Sequence, residues 1–433
     1  MASECVRKVE WLVDCVQARA ERYAAVLRGE RDDCSEDAIK VVLHRDRFTC
    51  FLTGNDDRIV PLTFELWPSL SCNARCRTCT YVLNGARDNA GRSGRLVLAD
   101  TDQYLAILGD VRAAGVSSVI FTGGGEPLLH PDLTLMTRRA TTVGLQWGLF
   151  TNGHALTQPM LEELLDAGPR FMRISINAGG ARRYEREYML GTGSYEAIAS
   201  IVATAARACA TRTQRCLGIS YALSGSTDAQ ELRQIREFVS RAMEAGSGGL
   251  ASVSFRPKVL YFDRRGQAVV PQPDASGLCD LRHRIAEEVV GPLAERFGPS
   301  LRIDHKAGMF ERASGDCVQA SSPGAQWTSQ MDHRGVGYVS SELNGSPWPR
   351  TAYGRFRGTN FNSVWFGENH RRLARDFGEG RGRVPLHHKV SHVDELLLHI
   401  RGNIGILSEA EVDTFYSKLR LPDIVQPRNW DFL

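Results

Sequence analysis

Three thiols stand within eight residues of one another, in Ser71-Cys72-Asn73-Ala74-Arg75-Cys76-Arg77-Thr78-Cys79. A Cys-x3-Cys-x2-Cys spacing lets one loop wrap a single small metal centre. Sulfur ligands select soft centres, namely zinc or an iron–sulfur cluster. A structural zinc site normally closes with four protein ligands. Only three are local, and no fourth Cys or His follows within the next fifty residues. Three thiolates suit a four-iron cluster that leaves one iron open to a small molecule. The competing readings are scattered core cysteines and a zinc knuckle completed by a distant residue. The knuckle would make the chain a zinc-stabilised binding protein rather than an enzyme.

A second constellation is Gly123-Gly124-Gly125-Glu126-Pro127, just after the apolar run 118–122. Glycines let a backbone approach a ligand closely and expose its N–H and C=O groups. A phosphate loop is excluded because no Gly-Lys-Ser/Thr follows, and a dinucleotide fingerprint fails for want of its helix and acidic residue. Further along, Arg173, Ser175 and Asn177 alternate with apolar residues and so share one side of a strand. Asn152 sits in Thr151-Asn152-Gly153, where Gly153 permits a turn. A polar strand end bonding its own loop is the plain alternative for these positions.

Cys72, Cys76 and Cys79 match the signature of radical S-adenosylmethionine (radical SAM) enzymes, and the chain resembles that family over about 62–258. The resemblance implies a partial (β/α)6 barrel and one [4Fe–4S] cluster on these cysteines, with SAM at the open iron. One electron from the cluster would cleave SAM, and the resulting 5′-deoxyadenosyl radical would take a hydrogen atom from the substrate. Gly124, Gly125 and Glu126 stand where the family's GGE motif holds the amino group of SAM's methionine part. Asn152 matches a pocket-lining position. Ser175 and Asn177, with Arg173, match the strand end that contacts ribose and carboxylate. Gly218-Ile219 and Phe255-Arg256-Pro257 sit where the family cradles adenine. The residue before the third cysteine is usually aromatic in the family and is Thr78 in this chain; Tyr81 is the nearest substitute ring. An electron donor such as flavodoxin or ferredoxin is the implied partner.

Those residues need strands to carry them. The runs 62–67, 118–122, 145–150, 171–176, 217–223 and 252–257 read as strands. Helical patterns near 102–114, 159–167, 194–208 and 228–245 alternate with them, and Pro131-Asp132 opens another. Strand–helix alternation means βαβ units, a parallel sheet and right-handed crossovers. Six units make a partial barrel or an open sheet, an α/β class. The cysteine loop follows the first strand, where parallel α/β folds place their sites.

Residues 1–60 read as an N-terminal extension, with an amphipathic helix over 9–27 and a hairpin of 41–44 with 48–52. The core spans 61–270, and 268–277 reads as a linker into a C-terminal α+β module, 271–433. That module resembles a decayed SPASM or twitch domain from Cys317 through Gly335 to Ser340, and again at Phe361–Trp365. Ser340 stands where the pattern has a Cys, and no Cys follows Cys317. Cys279 and Cys317 alone cannot hold an auxiliary cluster, and spacing does not suggest Cys209 or Cys216, so one cluster is expected. His387, His388, His392 and His399 lack a carboxylate motif and read as surface histidines. Cys216 and Cys279 are candidate hydrogen-atom donors, against the plainer reading of buried apolar thiols. Lys258, Tyr221 and His154 are candidate acid–base groups near strand ends.

Composition bounds the rest. The 433 residues are 42% hydrophobic and 24% charged, an ordinary globular balance. A net charge of +3 does not point to nucleic acid or a membrane surface. No apolar run reaches transmembrane length and no signal h-region is present, so a cytoplasmic location is expected. There the 11 cysteines stay reduced and do not form a disulfide framework. Without a second cluster, redox-neutral outcomes are favoured: epimerisation, dehydration or deoxygenation, with dehydrogenation less so. The expected substrate is a small molecule, a sugar, aminocyclitol or nucleoside of antibiotic biosynthesis. The alternative is maturation of a ribosomally made peptide.

Overall fold

The computed structural model describes residues 2–28, 36–83, 95–212, 216–258, 275–314, 321–339, 351–378, 391–425 and 431–432. Its centre is one sheet. The strands are β1 (Thr63–Leu66), β2 (Ser118–Phe121), β3 (Gln146–Thr151), β4 (Phe171–Ser175), β5 (Leu217–Leu223) and β6 (Leu250–Pro257). They continue as β7 (Arg302–His305), β8 (Thr328–Met331), β9 (Val336–Tyr338) and β10 (Ala352–Arg355). The spatial order is β10-β9-β8-β1-β2-β3-β4-β5-β6-β7. β1 to β6 are parallel neighbours in chain order, the six-unit arrangement the sequence leads one to expect. Residues beyond 271 widen it at both edges: β7 pairs in parallel with β6, and β8 in parallel with β1. β9 and β10 then turn antiparallel.

The two faces of the sheet differ. Phe64, Leu66, Val119, Phe121, Trp147, Leu149, Met172, Ile174, Ile219, Val253 and Phe255 join the main hydrophobic core with the covering helices. Alternate positions on the same strands, Glu65, Phe150, Arg173, Ser175, Gly218, Ser220, Ser252 and Ser254, point to the other face. A parallel sheet buried in apolar core on both sides would read as continuous hydrophobic runs. The alternation of β4 to β6 instead marks a lined interior. Helices start where the sequence caps them: Asp100 accepts from Gln103 N at 2.9 Å and Asp228 from Glu231 N at 2.8 Å.

The expected hairpin does not form. Residues 36–43 and 45–52 are helices, Glu36–Leu43 and Arg45–Leu52. The three residues between the runs, Arg45, Asp46 and Arg47, include no glycine for a tight hairpin turn. Tertiary burial of Val41, Val42, Phe48, Phe51 and Leu52 overrides the β-propensity of these runs. They build a second core with Val9, Leu12 and Val16 of the helix Ala2–Leu27 and with Trp327, Leu396, Leu397, Ile400 and Phe415. The last four come from the helices Ser391–Ile404 and Glu409–Lys418, so the two ends of the chain are packed on each other. Arg401 fixes the seam: its Nη2 donates to the Phe51 carbonyl at 2.6 Å, and its guanidinium lies 4.4 Å from the Phe51 ring. Among the described residues no helix is long and apolar enough to cross a membrane.

Candidate functional site

The chain past β1 is pinned before it reaches the cysteines. Ser71 Oγ accepts from Val97 N at 2.8 Å, and Leu70 N donates to Val97 O at 2.9 Å. The glycine loop after β2 then lies directly against this strand end. Gly125 N donates to Ser69 O at 3.0 Å and Glu126 N to Ser71 O at 2.8 Å. A Cβ on Gly125 would strike the backbone of Leu70 and Ser71, and one on Gly123 (φ 144°) would press into Trp67. The glycines therefore permit a close approach of two protein loops, as well as whatever they present to a ligand.

Glu126 is buried, and its carboxylate is occupied within the protein. Oε1 accepts from Leu128 N at 3.1 Å and from Thr151 Oγ1 at 2.5 Å, while Oε2 accepts from Asn152 N at 2.8 Å. The carboxylate thus ties the β2 loop to the β3 loop. Asn152 carries the tie onward: Nδ2 donates to Asn73 Oδ1 at 2.8 Å and lies 3.7 Å from Cys72 Sγ. Cys72 Sγ also accepts from Ala74 N at 3.4 Å. Asn73, unremarkable as sequence, is the joint between the first cysteine and β3.

The other flank of the loop leans on the helix Ala181–Tyr188. Arg75 N donates to Tyr188 O at 3.1 Å and Arg77 N to Glu187 O at 2.9 Å, so the cysteine loop satisfies carbonyls that a helix end leaves open. Tyr184 and Tyr188 stack at 4.4 Å beside it. Burial raises both phenols above their ordinary range, helped by Cys76 at Tyr184 and by Tyr184 and then Cys76 at Tyr188. Their Tyr-x3-Tyr spacing puts them on one helix face, the only trace of this buttress in the sequence. Asn177, in the left-handed region at φ 52°, donates to Tyr188 Oη at 3.0 Å and accepts from Ala222 N at 2.8 Å. Tyr188 Oη donates to Ser175 O at 2.6 Å, and Ser175 Oγ lies 3.4 Å from Ser220 Oγ. The expected positions Cys72, Cys76, Cys79, Gly124, Gly125, Glu126, Asn152, Ser175 and Asn177 thus belong to one continuous rim at the C-terminal ends of β1 to β5.

Other candidates separate from the rim. Tyr221 is buried on the helix-facing side, stacked on Phe255 at 5.6 Å, and cannot meet a substrate on the inner face. Ile219 and Phe255 share that core, while Gly218 and Arg256 are on the inner face. Cys216 precedes β5, at the end of the sheet opposite the cysteine loop, with its Sγ 3.9 Å from Cys209 Sγ; the strand's length removes it from hydrogen donation at the rim. Cys279 is half-buried on the helix Ala275–Ile285. His154 Nε2 lies 2.8 Å from Tyr184 Oη, and burial lowers its pKa. Lys258 Nζ is 3.3 Å from Glu187 Oε2 beside the cysteine loop. Tyr81 stands edge-on to Trp67 at 5.0 Å. Arg173 lies 5.5 and 5.6 Å from the Phe150 and Phe171 rings. His392 is buried and His399 packs on Trp11 at 5.1 Å. Cys317, Ser340, His387 and His388 lie outside the described residues.

The donor set suits an iron–sulfur cluster: Cys72, Cys76 and Cys79 are half-buried thiols on one loop, none of them in a disulfide. Among the described residues no three His, Cys, Asp or Glu side chains gather closely enough to hold one metal ion. A cluster asks for a wider arrangement, with each thiolate on its own iron.

Residues 68–239 match the family model of the radical SAM superfamily. The chain is 25% identical over 252 residues to a dTDP-4-amino-4,6-dideoxy-D-glucose ammonia-lyase of Streptomyces venezuelae, across 57% of this chain and 48% of the relative. It is 30% identical over 237 residues to a PqqA peptide cyclase of Gluconobacter oxydans, across 54% of this chain and 58% of the relative. The matches thus span about half the length of these relatives. In fold the chain is similar to SuiB of Streptococcus suis, with a TM-score of 0.55 at 15% identity over 73% of this chain and 68% of that one.

Proposed function

Residues 68–239 are a radical SAM domain, and from that premise we propose that the chain binds one [4Fe–4S] cluster and SAM and abstracts a hydrogen atom from a small-molecule substrate. The observation that carries this reading is the rim itself, in which the loop of Cys72, Cys76 and Cys79 is bonded on one side to the glycine loop and Asn152 and on the other to Tyr188. When bound, the cluster and SAM supply one-electron cleavage chemistry; the protein's share is position and exclusion of water. Cys72, Cys76 and Cys79 hold the cluster. The backbone of Gly124 and Gly125 faces the methionine end of SAM, and Glu126 fixes that backbone through its three hydrogen bonds. Asn152, Ser175 and Asn177 line the path toward the ribose. Tyr184 and Tyr188 close the loop's flank to water. Of the C-terminal module, the part that extends the sheet, β7 to β10, covers the substrate.

The substrate is a sugar, aminocyclitol or nucleoside from natural-product biosynthesis, converted without net oxidation. The likeness to the Streptomyces venezuelae ammonia-lyase, named for a nucleotide-linked amino sugar, supports it. The likeness to PqqA peptide cyclase favours a second reading, peptide maturation, which predicts tight binding of a leader peptide.

Anaerobic reconstitution with iron and sulfide, then SAM and a strong reductant, tests the proposal through 5′-deoxyadenosine. Wild-type protein should form it, and the Cys72→Ala/Cys76→Ala/Cys79→Ala variant should form none. Bound zinc, no iron chromophore and no 5′-deoxyadenosine would sink it and promote the binding-protein reading.

A further inference from the structure

The cysteine loop carries an exposed arginine, Arg77, between its second and third thiols. The helix it leans on, Ala181–Tyr188, adds more. Tyr184 and Tyr188 take the buried face of that helix. Arg182 and Arg186 are also four residues apart and so share a face, which a step of two residues turns almost opposite the tyrosines. Both are exposed. Among the described residues the Arg77 and Arg182 guanidiniums have no partner, and Arg186 Nε lies 3.8 Å from Glu187 Oε1. The neighbouring acids are engaged elsewhere as well: Glu185 Oε1 accepts from Gly193 N at 2.7 Å, and Glu187 Oε2 is 3.3 Å from Lys258 Nζ. Arg183 pairs with the buried Glu231. Just past the helix, Met189 is 59% exposed, the most exposed large apolar side chain among the described residues. It also sits at φ 52°, in the left-handed region that a helix end commonly gives to glycine. Packing does not explain a bulky side chain kept there, and such outliers gather at functional surfaces.

These groups belong to one surface, because Arg77 N donates to Glu187 O at 2.9 Å and Arg75 N to Tyr188 O at 3.1 Å. A small anion is bound by donors that converge in a cleft. Cations spread over an exposed helix face and a loop suit the acidic surface of a macromolecule, where opposite charge speeds encounter and sets orientation. Methionine adds an adaptable apolar contact at the centre of such a patch. We propose that Arg77, Arg182, Arg186 and Met189 form the docking surface for an acidic electron-carrier protein. This rests on the reading above, which requires one electron from outside the chain. The carrier stands against the loop that holds the thiols. It is oxidised by one electron and the cluster is reduced by one, with no bond of this chain made or broken.

The test is 5′-deoxyadenosine formation by the reconstituted full chain with two reductants: reduced flavodoxin, an acidic flavoprotein held below saturation, and reduced methyl viologen, a small cation. Wild type should respond to both, and only the flavodoxin rate should fall as salt is raised, because screening removes the steering. Arg182→Glu/Arg186→Glu should slow the flavodoxin reaction by about tenfold or more and leave the viologen reaction unchanged. Met189→Gly relieves the backbone and should fold at least as well as wild type, yet it should slow flavodoxin severalfold. Flavodoxin rates equal to wild type in both variants overturn the proposal, and so does a flavodoxin that cannot drive wild type. An equal loss with both reductants also overturns it, since that would put these residues in SAM or substrate binding. The viologen arm separates the two claims. Wild type that is active with viologen, and indifferent to these substitutions with flavodoxin, refutes the docking surface alone. No 5′-deoxyadenosine with either reductant refutes the enzyme reading, and the surface with it.

Discussion

The cysteine rim and the packed chain ends are held by different forces. At the rim, position is set by hydrogen bonds between loops: Glu126 to Thr151 and Asn152, Asn152 to Asn73, Arg75 and Arg77 to the end of the helix Ala181–Tyr188. At the chain ends, Val9, Phe48, Trp327, Leu396 and Phe415 make an apolar core, with polar ties such as those of Arg401 and Tyr416 at its margin. Hydrogen bonds are directional and fix geometry to fractions of an ångström, whereas hydrophobic burial is non-directional and scales with area. A rim that must place three thiols and a cofactor needs the first kind. A flank that must only stay attached is served by the second. Damage to the rim should therefore remove chemistry faster than stability, and damage to the flank should do the reverse.

Gly125→Ala is the largest test of that contrast. The added methyl would overlap the backbone of Leu70 and Ser71, and backbone cannot swing aside as a side chain does. We expect a folded protein destabilised by about 3 kcal/mol, in the range of overpacking costs. Its iron content and 5′-deoxyadenosine formation should be almost abolished. Iron analysis and thermal melting measured together check this; full iron loading with normal turnover would break the claim that loop contact positions the thiols.

Leu396→Ala sharpens the comparison from the other side. Leu396 is fully buried in the chain-end core, and truncation there should cost about 3 kcal/mol. SAM cleavage per folded, iron-loaded molecule should be unchanged. A matching fall in turnover at low temperature, where the variant is folded, would mean that the flank shapes the site as well as supporting it.

The same contrast explains what the sequence discloses. β1 to β6 are legible because each is a compact β-rich run between capped helices, and the local signals agree with the tertiary result. The thiols and glycines are legible because their residue types are rare in such spacing. The ties between them are not: Asn73, Tyr184 and Tyr188 are ordinary residues whose importance comes from partners far along the chain. Residues 36–52 mislead because a short Val- and Phe-rich run has no periodicity long enough to separate helix from strand, and burial against the distant C-terminal helices decides it. The helix Ser391–Ile404 is missed for a related reason, since its apolar face is meaningful only once the N-terminal helices are in place. β8 and β10 escape notice because they are four-residue strands, and β8 is polar on the face it shares with Glu65.

Asp394 gives the smallest effect and a test by pH. It lies in the helix Ser391–Ile404 and accepts from Ser322 Oγ at 2.8 Å and Gly324 N at 2.6 Å, joining the flank to the segment before β8. Burial pushes its carboxyl up to about 7, against the two hydrogen bonds that favour the charged form. The folded state therefore prefers the neutral acid, while the unfolded chain ionises near pH 4. As pH rises from about 4 to about 7 the unfolded state has lost its proton and the folded state has not, so stability falls across that window and levels off above it. The full gap is worth up to ~4 kcal/mol, and relaxation around an ionised buried group reduces this to about 2 kcal/mol. Asp394→Asn keeps an acceptor for Gly324 N and adds a donor for Ser322 Oγ without a titration. Melting temperatures of wild type relative to the variant should then decline between pH 4 and pH 7 and run parallel above it. A flat difference would mean that this carboxylate is as solvated as those on the surface, and that the flank has a wet, polar seam where the comparison with the rim requires a dry one.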